Sequence, residues 1–332
     1  MTTDALHLGE APAVEADRLA RFRRFAFATC AATYLLIWVG GLVRVSGAGL
    51  GCPDWPRCFG RWIPPTDVSQ VPPGIDPSLF NVTLAWIEYV NRLIGVSVGL
   101  LILGAALLAT KDLRRYPGLL WPTWAAAILV AFQGWLGAQV VSSKLEPTVI
   151  TAHMVLALII VSLLVWVVVR AWRLEHPDDG RDARYPAGTT GLLVLLWAVA
   201  LFQLGLGTHL RGLFETLTDR FPLMADRELI WSAGMPAHLH LILGIAFALF
   251  TVWVCWRILT ESQHPSWVVS FGAWSSAILV IALTLIGFAF VATGIPPLVQ
   301  LFHAWVASLL VGALLVLLTG VIADRKSSRS TA

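Results

Sequence analysis

Eight apolar runs, near residues 25–44, 83–108, 119–141, 148–172, 188–208, 235–258, 267–291 and 296–322, partition this chain of 332 residues. Each is long enough to cross a ~30 Å hydrocarbon core as a helix of about 20 residues. Lipid offers no water to pair with backbone groups, so such runs are confined to helices that close their own hydrogen bonds. The alternative is a soluble helical core. Against it, 57% of the residues are hydrophobic and only 13% charged, far from the balance of a soluble globular chain. The expected fold is therefore an all-α integral membrane protein with eight transmembrane helices.

Cationic residues suggest its orientation. Arg18, Arg21, Arg23 and Arg24 precede the first run, Lys111, Arg114 and Arg115 follow the second, Arg170, Arg173, Arg181 and Arg184 follow the fourth, and Arg325, Lys326 and Arg329 close the chain. The positive-inside rule then makes both termini cytoplasmic. Arg57, Arg61, Arg220 and Arg227 fall on the opposite side, so the bias is incomplete, although the even helix count agrees with it. The net charge of +3 reflects these anchors and gives no reason to expect a nucleic-acid partner. Asp4, Glu10, Glu15 and Asp17 in the first 24 residues argue against an acid-poor transit peptide, and the first run is too long for a signal-peptide core. The reading is a retained first helix in a bacterial cytoplasmic membrane. Tryptophans near run ends, such as Trp38, Trp86, Trp121, Trp231 and Trp267, suit interfacial belts rather than a cofactor role.

The spacing Gly137, Pro147, His153 recurs unchanged as Gly287, Pro297, His303, each time leading into a long apolar run. Between these units lies a polar stretch from Arg173 to Thr190 that contains His176, Pro177, Asp178, Asp179, Gly180 and Pro186. The expected organisation is two pseudo-repeated four-helix bundles. A cytoplasmic tail (1–24) leads into the first bundle (25–172), and a cytoplasmic linker (173–187) joins it to the second (188–322), which ends in a second tail (323–332). Aligning Gly95 with Gly244 places Asn91 opposite His240, so the repeat predicts histidine where this chain has asparagine. The outer loops differ as well: residues 45–82 contain Cys52 and Cys58, whereas residues 209–234 contain no cysteine.

Ionisable side chains are costly in a bilayer and usually mark function there. His240 and His303 lie six or seven residues into parallel helices, roughly 10 Å from the outer ends at the rise of an α-helix. Both imidazoles can face one cavity in a four-helix bundle, which points to bis-histidine ligation of a b-type haem. The alternative is two histidines that merely hydrogen-bond to neighbouring helices. His238 points nearly opposite to His240 and is expected at the interface or against a haem edge. His209 is expected at the interface, and His7, His176 and His264 fall in tails or loops. In the first bundle the equivalent positions are Asn91 and His153, with Glu88 one turn before Asn91 and so on the same helix face. A carboxylate at that depth is either kept for proton or charge chemistry or reaches for headgroups. Arg44, Arg92 and Arg211, near outer helix ends, are candidates to pair with haem propionates, the alternative being arginines that only snorkel to the interface. Cys52 and Cys58 are expected to form a disulfide on an oxidising side, with a structural and a redox role both open. A zinc site is weaker for want of a second ligand pair, and Cys30 and Cys255 read as packing residues.

The run GGLVRVSGAGLGCPDWPRCFG (40–60), Glu88-Tyr89-Val90-Asn91-Arg92, and the histidines of helices four, six and eight together resemble the haem A synthase family over nearly the whole chain. The resemblance implies oxidation of the C8 methyl group of haem O, by successive hydroxylations, to the formyl group of haem A for terminal oxidases. It implies a permanent haem b held by His240 and His303, and a substrate haem site built from Glu88, position 91 and His153. It also ties the first-loop cysteines to activity or haem handling. Implied partners are haem O with haem O synthase, terminal oxidase assembly factors and a membrane electron acceptor. Many relatives carry a second cysteine pair in the later outer loop, absent here. The family pattern Glu-x-x-His-Arg reads Glu-Tyr-Val-Asn-Arg in this chain, and asparagine is a poor iron ligand. Either His153 alone holds the substrate haem and leaves an iron position open, or the reaction has been lost and the chain only binds haem or moves electrons. A transporter, suggested by the duplication, ranks last because the halves are parallel and no helix is broken.

Overall fold

The computed structural model of the protein describes the backbone of residues 4–329 and the side chains of residues 15–325 except 226 and 227. The side chains of Asp4, His7, Glu10, Arg227, Lys326 and Arg329 therefore lie outside the described residues. Among the described residues the chain is helical, with no strand beyond two isolated bridges, Cys58 to Arg61 and Arg184 to Gln263. The helices are α1 (Asp4–Val45), α2 (Val82–Asp112), α3 (Pro117–Ser142), α4 (Pro147–Glu175), α5 (Thr189–Arg220), α6 (Asp226–Ser232), α7 (Met235–Glu261), α8 (Trp267–Thr293) and α9 (Pro297–Arg329). All but α6 are long and apolar enough to cross a membrane, which makes eight such helices among the described residues.

Helix ends follow local chemistry. Proline opens α3 and α4 where its missing N–H costs nothing. Asn81 caps α2 by accepting from the Leu84 N–H, and Glu146 caps α4 by accepting from the Thr148 and Val149 N–H groups. Three helices or tails depart from the hydropathy-based boundaries. The 1–24 tail is helical from Asp4 as part of α1, and Leu19, Phe22 and Ala26 are buried against Ala109, Leu113, Leu119, Val167 and Ala171. Ion pairs from Arg21 to Asp112 and from Arg23 to Glu175 fasten it. The 209–234 loop is instead the last turns of α5 followed by α6. The 323–332 tail begins inside α9, where Asp324 is fully buried. In each case charged residues continue a helix past its apolar run, and a hydropathy count stops where they begin.

Helices α1, α2, α3 and α4 contact one another in cyclic order, as do α5, α7, α8 and α9. α4 and α9 meet between the two rings and are the most deeply buried of the spans. The rings share one core, which runs from Val98 and Leu158 through Leu164 and Leu310 to Val254 and Leu317. Lipid is as apolar as leucine, so close backbone approach rather than hydrophobicity selects the helix partners. At α8 and α9, a Cβ on Gly272 would lie 2.8 Å from the Leu317 backbone nitrogen, and one on Gly320 would lie 2.8 Å from Val269. Outward-facing residues such as Leu100, Ile128, Leu249, Ile278 and Leu285 are exposed, as a lipid-facing surface requires.

Two faces can be told apart. The linker between α4 and α5 lies at one end of the bundle with the turn between α7 and α8, while the disulfide loop between α1 and α2 lies at the other.

Candidate functional site

Asn91 on α2, His153 on α4, His240 on α7 and His303 on α9 are each half-buried, and each faces a glycine on another helix. A Cβ on Gly40 would lie 4.0 Å from Asn91 Oδ1, one on Gly137 3.4 Å from His153 Cε1, one on Gly207 3.0 Å from His240 Cε1, and one on Gly287 3.5 Å from His303 Cε1. Of these, only the Gly207 contact is tight enough that a Cβ would make the neighbouring ring give way; at Gly40 and Gly287 a Cβ would make an ordinary contact. His153 Nδ1, His240 Nδ1, His303 Nδ1 and Asn91 Oδ1 are all buried without a hydrogen-bond partner among the described residues. Such groups are expensive in an apolar interior unless something satisfies them.

The His240 and His303 rings approach with centroids 6.3 Å apart and planes inclined at 65°. An imidazole–metal bond of about 2 Å and about 1.1 Å from ring nitrogen to ring centre put two axial imidazoles about 6 Å apart, centre to centre. The pair thus fits one iron between two rings. Phe290 lies edge-on to His303 at 5.3 Å and keeps that side apolar. Two glutamines fix the histidine backbones: Gln203 Nε2 donates to the His240 carbonyl at 3.0 Å, and Gln133 Nε2 donates to the His153 carbonyl at 3.0 Å. Gln203 reaches its target across Gly244, whose missing Cβ would lie 3.2 Å from the amide nitrogen. Sequence reading missed both glutamines, and a polar residue in an apolar span was the available signal.

The first loop closes over α2. Cys52 and Cys58 form a disulfide with Cα atoms 4.7 Å apart, both fully buried with Phe59 and Ala85. A Cβ on Gly51 would sit 2.3 Å from the Leu84 carbonyl oxygen, so the loop rests directly on the first turn of α2. Glu88 is buried, and it is neither lone nor reaching for headgroups. Its Oε2 accepts from the Cys52 N–H at 2.7 Å, and its Oε1 accepts from Arg92 Nε at 3.1 Å and also pairs with Arg92 Nη2. Arg92 Nη1 donates to the Asp54 and Arg57 carbonyls at 2.9 and 2.8 Å. Instead of an arginine free for a propionate, the structure shows one that ties the loop to α2.

Arg44 and Arg211, the other two propionate candidates, share a carboxylate that sequence reading missed. Arg44 Nη2 meets Glu215 Oε2 at 3.0 Å, and Arg211 Nη2 meets Glu215 Oε1 at 3.1 Å. The Arg-x-x-x-Glu spacing was the legible half of this contact. His238 Nδ1 lies 2.8 Å from the Gly234 carbonyl, and its exposed ring packs on Trp231. His209 is exposed. Cys30 and Cys255 are buried and unpaired. No group of three or more His, Cys, Asp or Glu side chains suited to a metal ion occurs among the described residues.

On the linker face, Arg173 pairs with Asp324 at 3.0 Å and with Asp179 at 3.6 Å, and the Tyr185 hydroxyl bonds Asp324. Burial, and then the adjacent Asp324 carboxylate, raise the Tyr185 phenol well above its ordinary range. This cluster clamps the linker to the end of α9.

The model for the family described as Cytochrome oxidase assembly protein (COX15-CtaA) matches residues 23–315. A curated Heme A synthase of Alkalihalophilus pseudofirmus is 26% identical, over 89% of this chain and 95% of its own. The Heme A synthase of Sphingopyxis alaskensis is 25% identical, over 99% and 98%. That of Shewanella oneidensis is 34% identical over a shorter match, 51% of this chain and 52% of its own.

Proposed function

We infer that this chain, which belongs to the Cytochrome oxidase assembly protein family, is a haem A synthase, a membrane oxidoreductase acting on haem O. It oxidises the C8 methyl group of haem O, by successive hydroxylations, to the formyl group of haem A for terminal oxidases. The observation that carries the reading is the His240–His303 pair, two half-buried imidazoles with buried, unpartnered Nδ1 atoms and a centroid separation close to what one iron held between them would require.

His240 and His303 hold a permanent haem b in the second bundle, where it supplies one-electron redox chemistry. The chain's own contribution there is rigid: Gln203 holds the α7 backbone at His240, Phe290 shields His303, and Gly207 leaves room for the His240 ring. The first bundle takes haem O as substrate, with His153 as its iron ligand. Asn91, the counterpart of His240 in the repeat, would offer a polar amide where the second bundle offers an imidazole. Glu88 is part of the substrate pocket as the residue that positions its roof, since its carboxylate joins the disulfide loop to the turn of α2 that carries Asn91. The disulfide is the staple of that roof.

The two bundles are pseudo-repeats, with the linker face and both termini cytoplasmic and the haem sites toward the outer side of a bacterial cytoplasmic membrane. The linker-face arginines support this orientation. Haem O synthase supplies the substrate, terminal oxidase assembly factors receive the product, and a membrane electron acceptor takes the electrons.

Extraction of pigment from cells making this chain beside a source of haem O tests the reading. Haem A or a hydroxylated intermediate is expected. Its absence, together with its appearance on Asn91→His, identifies a lapsed synthase and overturns present activity.

A further inference from the structure

We propose that the tip of the disulfide loop, formed by Arg57, Arg61, Trp62 and Ile63, is a docking surface for anionic phospholipids of the leaflet on its own side of the membrane. None of these four residues takes part in the haem reading, and the surface goes beyond it.

Depth places the tip. Arg92 stands ten residues past Val82, the start of α2, roughly 15 Å along it at ~1.5 Å per residue. Its side chain runs back toward that start, since it pairs with Glu88 one turn earlier and its Nη1 holds the Asp54 and Arg57 carbonyls. Residues 54–57 therefore lie alongside the outer turns of α2 and not beyond its end. Asn91, the neighbour of Arg92, faces Gly40, five residues before the α1 span ends at Val45. The stretch that Arg92 reaches from there stands at about the level where α1 ends, which is where hydrocarbon gives way to headgroups.

The local fold turns four side chains outward. Cys58 and Arg61 exchange backbone hydrogen bonds around Phe59 and Gly60, both at positive φ (53° and 71°), as in the two-residue turn of a tight hairpin. Cys58 and Phe59 enter the small core with Phe80 and Ala85. Arg57 and Trp62 flank the turn, the guanidinium carbon 5.6 Å from the ring centroid. Trp62 is 66% exposed and Ile63 62%, apolar area that the chain itself leaves uncovered.

Charge completes the match. The three aspartates of the loop are engaged by backbone N–H groups: Asp54 accepts from Gly60, Asp67 from Ser69 and Asp76 from Ser78. Neither Arg57 nor Arg61 pairs with a carboxylate among the described residues, and Arg61 only donates to the Gln70 carbonyl at 3.4 Å. Both stand on the side opposite the chain's cationic bias, so positive-inside anchoring does not account for them. Two unmatched guanidinium groups beside an indole and an isoleucine at headgroup level suit a phosphate above an acyl chain. The same loop carries the Cys52–Cys58 disulfide and hangs on Glu88, so lipid held at its tip steadies it against α2.

The test places the full-length protein in phosphatidylcholine nanodiscs that contain a minor share of brominated lipid, either phosphatidylglycerol or phosphatidylcholine, with the bromine near the headgroup end of the acyl chain. Subtracting the emission of the Trp62→Phe protein isolates Trp62. Its quenching should be about two- to five-fold stronger with brominated phosphatidylglycerol, and Arg57→Gln combined with Arg61→Gln should abolish the preference. Equal quenching by the two lipids overturns the proposal. Quenching by neither also overturns it, and leaves the surface to water or to a protein partner. Should Trp62→Phe fail to fold, amide exchange in the unaltered protein decides: residues 57–63 must exchange more slowly in phosphatidylglycerol discs than in phosphatidylcholine discs, and equal exchange overturns the proposal. Failure of the haem reading looks different, since it would remove the haem spectrum and leave these lipid effects in place.

Discussion

At the scale of single residues, burial and pairing separate a side chain's task from its mere presence. Glu88 and Arg92 stand four apart on α2, so half of their contact is readable as helix spacing. The other half, the Cys52 N–H and the two loop carbonyls, depends on how residues 45–82 fold back, and no local pattern encodes it. Removing one member of a largely buried pair leaves the other uncompensated, at about 3 kcal/mol. Glu88→Ala should therefore loosen the first loop by about that amount. The Cys52–Cys58 disulfide, now buried, should become open to a membrane-impermeant reductant. Unchanged reduction kinetics would show that the loop is held by something else. Asp324 was similarly hidden: it reads as part of a charged tail, yet it is buried because Arg173 in the last turn of α4 reaches it.

At the scale of helices, hydropathy marks where each span lies and says little about where its helix ends or what it faces. The eight spans were legible because each is a long apolar run. The extension of α1 back to Asp4 and of α5 to Arg220 was not, because amphipathic turns carry charges that a count of apolar residues rejects. Glycines show the same limit: Gly207 is an ordinary span residue in the sequence and Gly287 only a marker of the repeat, and packing alone reveals that each faces a histidine. Gly207→Ala would place a methyl group 3.0 Å from His240 Cε1, forcing the ring to move by a few tenths of an ångström. Gly287→Ala would create only an ordinary 3.5 Å contact with His303. The first should shift the low-spin haem signals in electron paramagnetic resonance and the second should leave them; equal effects would contradict the packing described.

Capping of α4, the helix of His153, gives a pH signature. The Thr148 hydroxyl, then the Val149 and Thr148 N–H groups, hold the Glu146 carboxyl below the usual range. A carboxyl lower in the folded than in the unfolded state stabilises fully above its unfolded value and loses that contribution as pH falls through the folded one. The melting temperature of Glu146→Ala should therefore lie below that of the unaltered protein near neutrality, and the gap should narrow in acid. A gap that is constant with pH would dismiss the cap.

At the scale of the whole molecule, two rings of four helices carry different polar equipment. The second ring carries the two facing imidazoles, and the first carries His153 with Asn91. The candidate ligands were legible because histidine is rare in apolar spans and the spacing from Gly137 to His153 recurs from Gly287 to His303. Their closeness was not, since it depends on the angle at which α7 and α9 pack. The central claim is that the second ring holds a resident haem b and the first receives the substrate haem. Optical spectra of purified His153→Ala, His240→Ala and His303→Ala proteins test it most directly. Loss of the bis-histidine low-spin spectrum in the His240 and His303 variants, with its retention in His153→Ala, is the expected result. A spectrum abolished by His153→Ala and kept by His303→Ala would contradict the account and exchange the roles of the two rings.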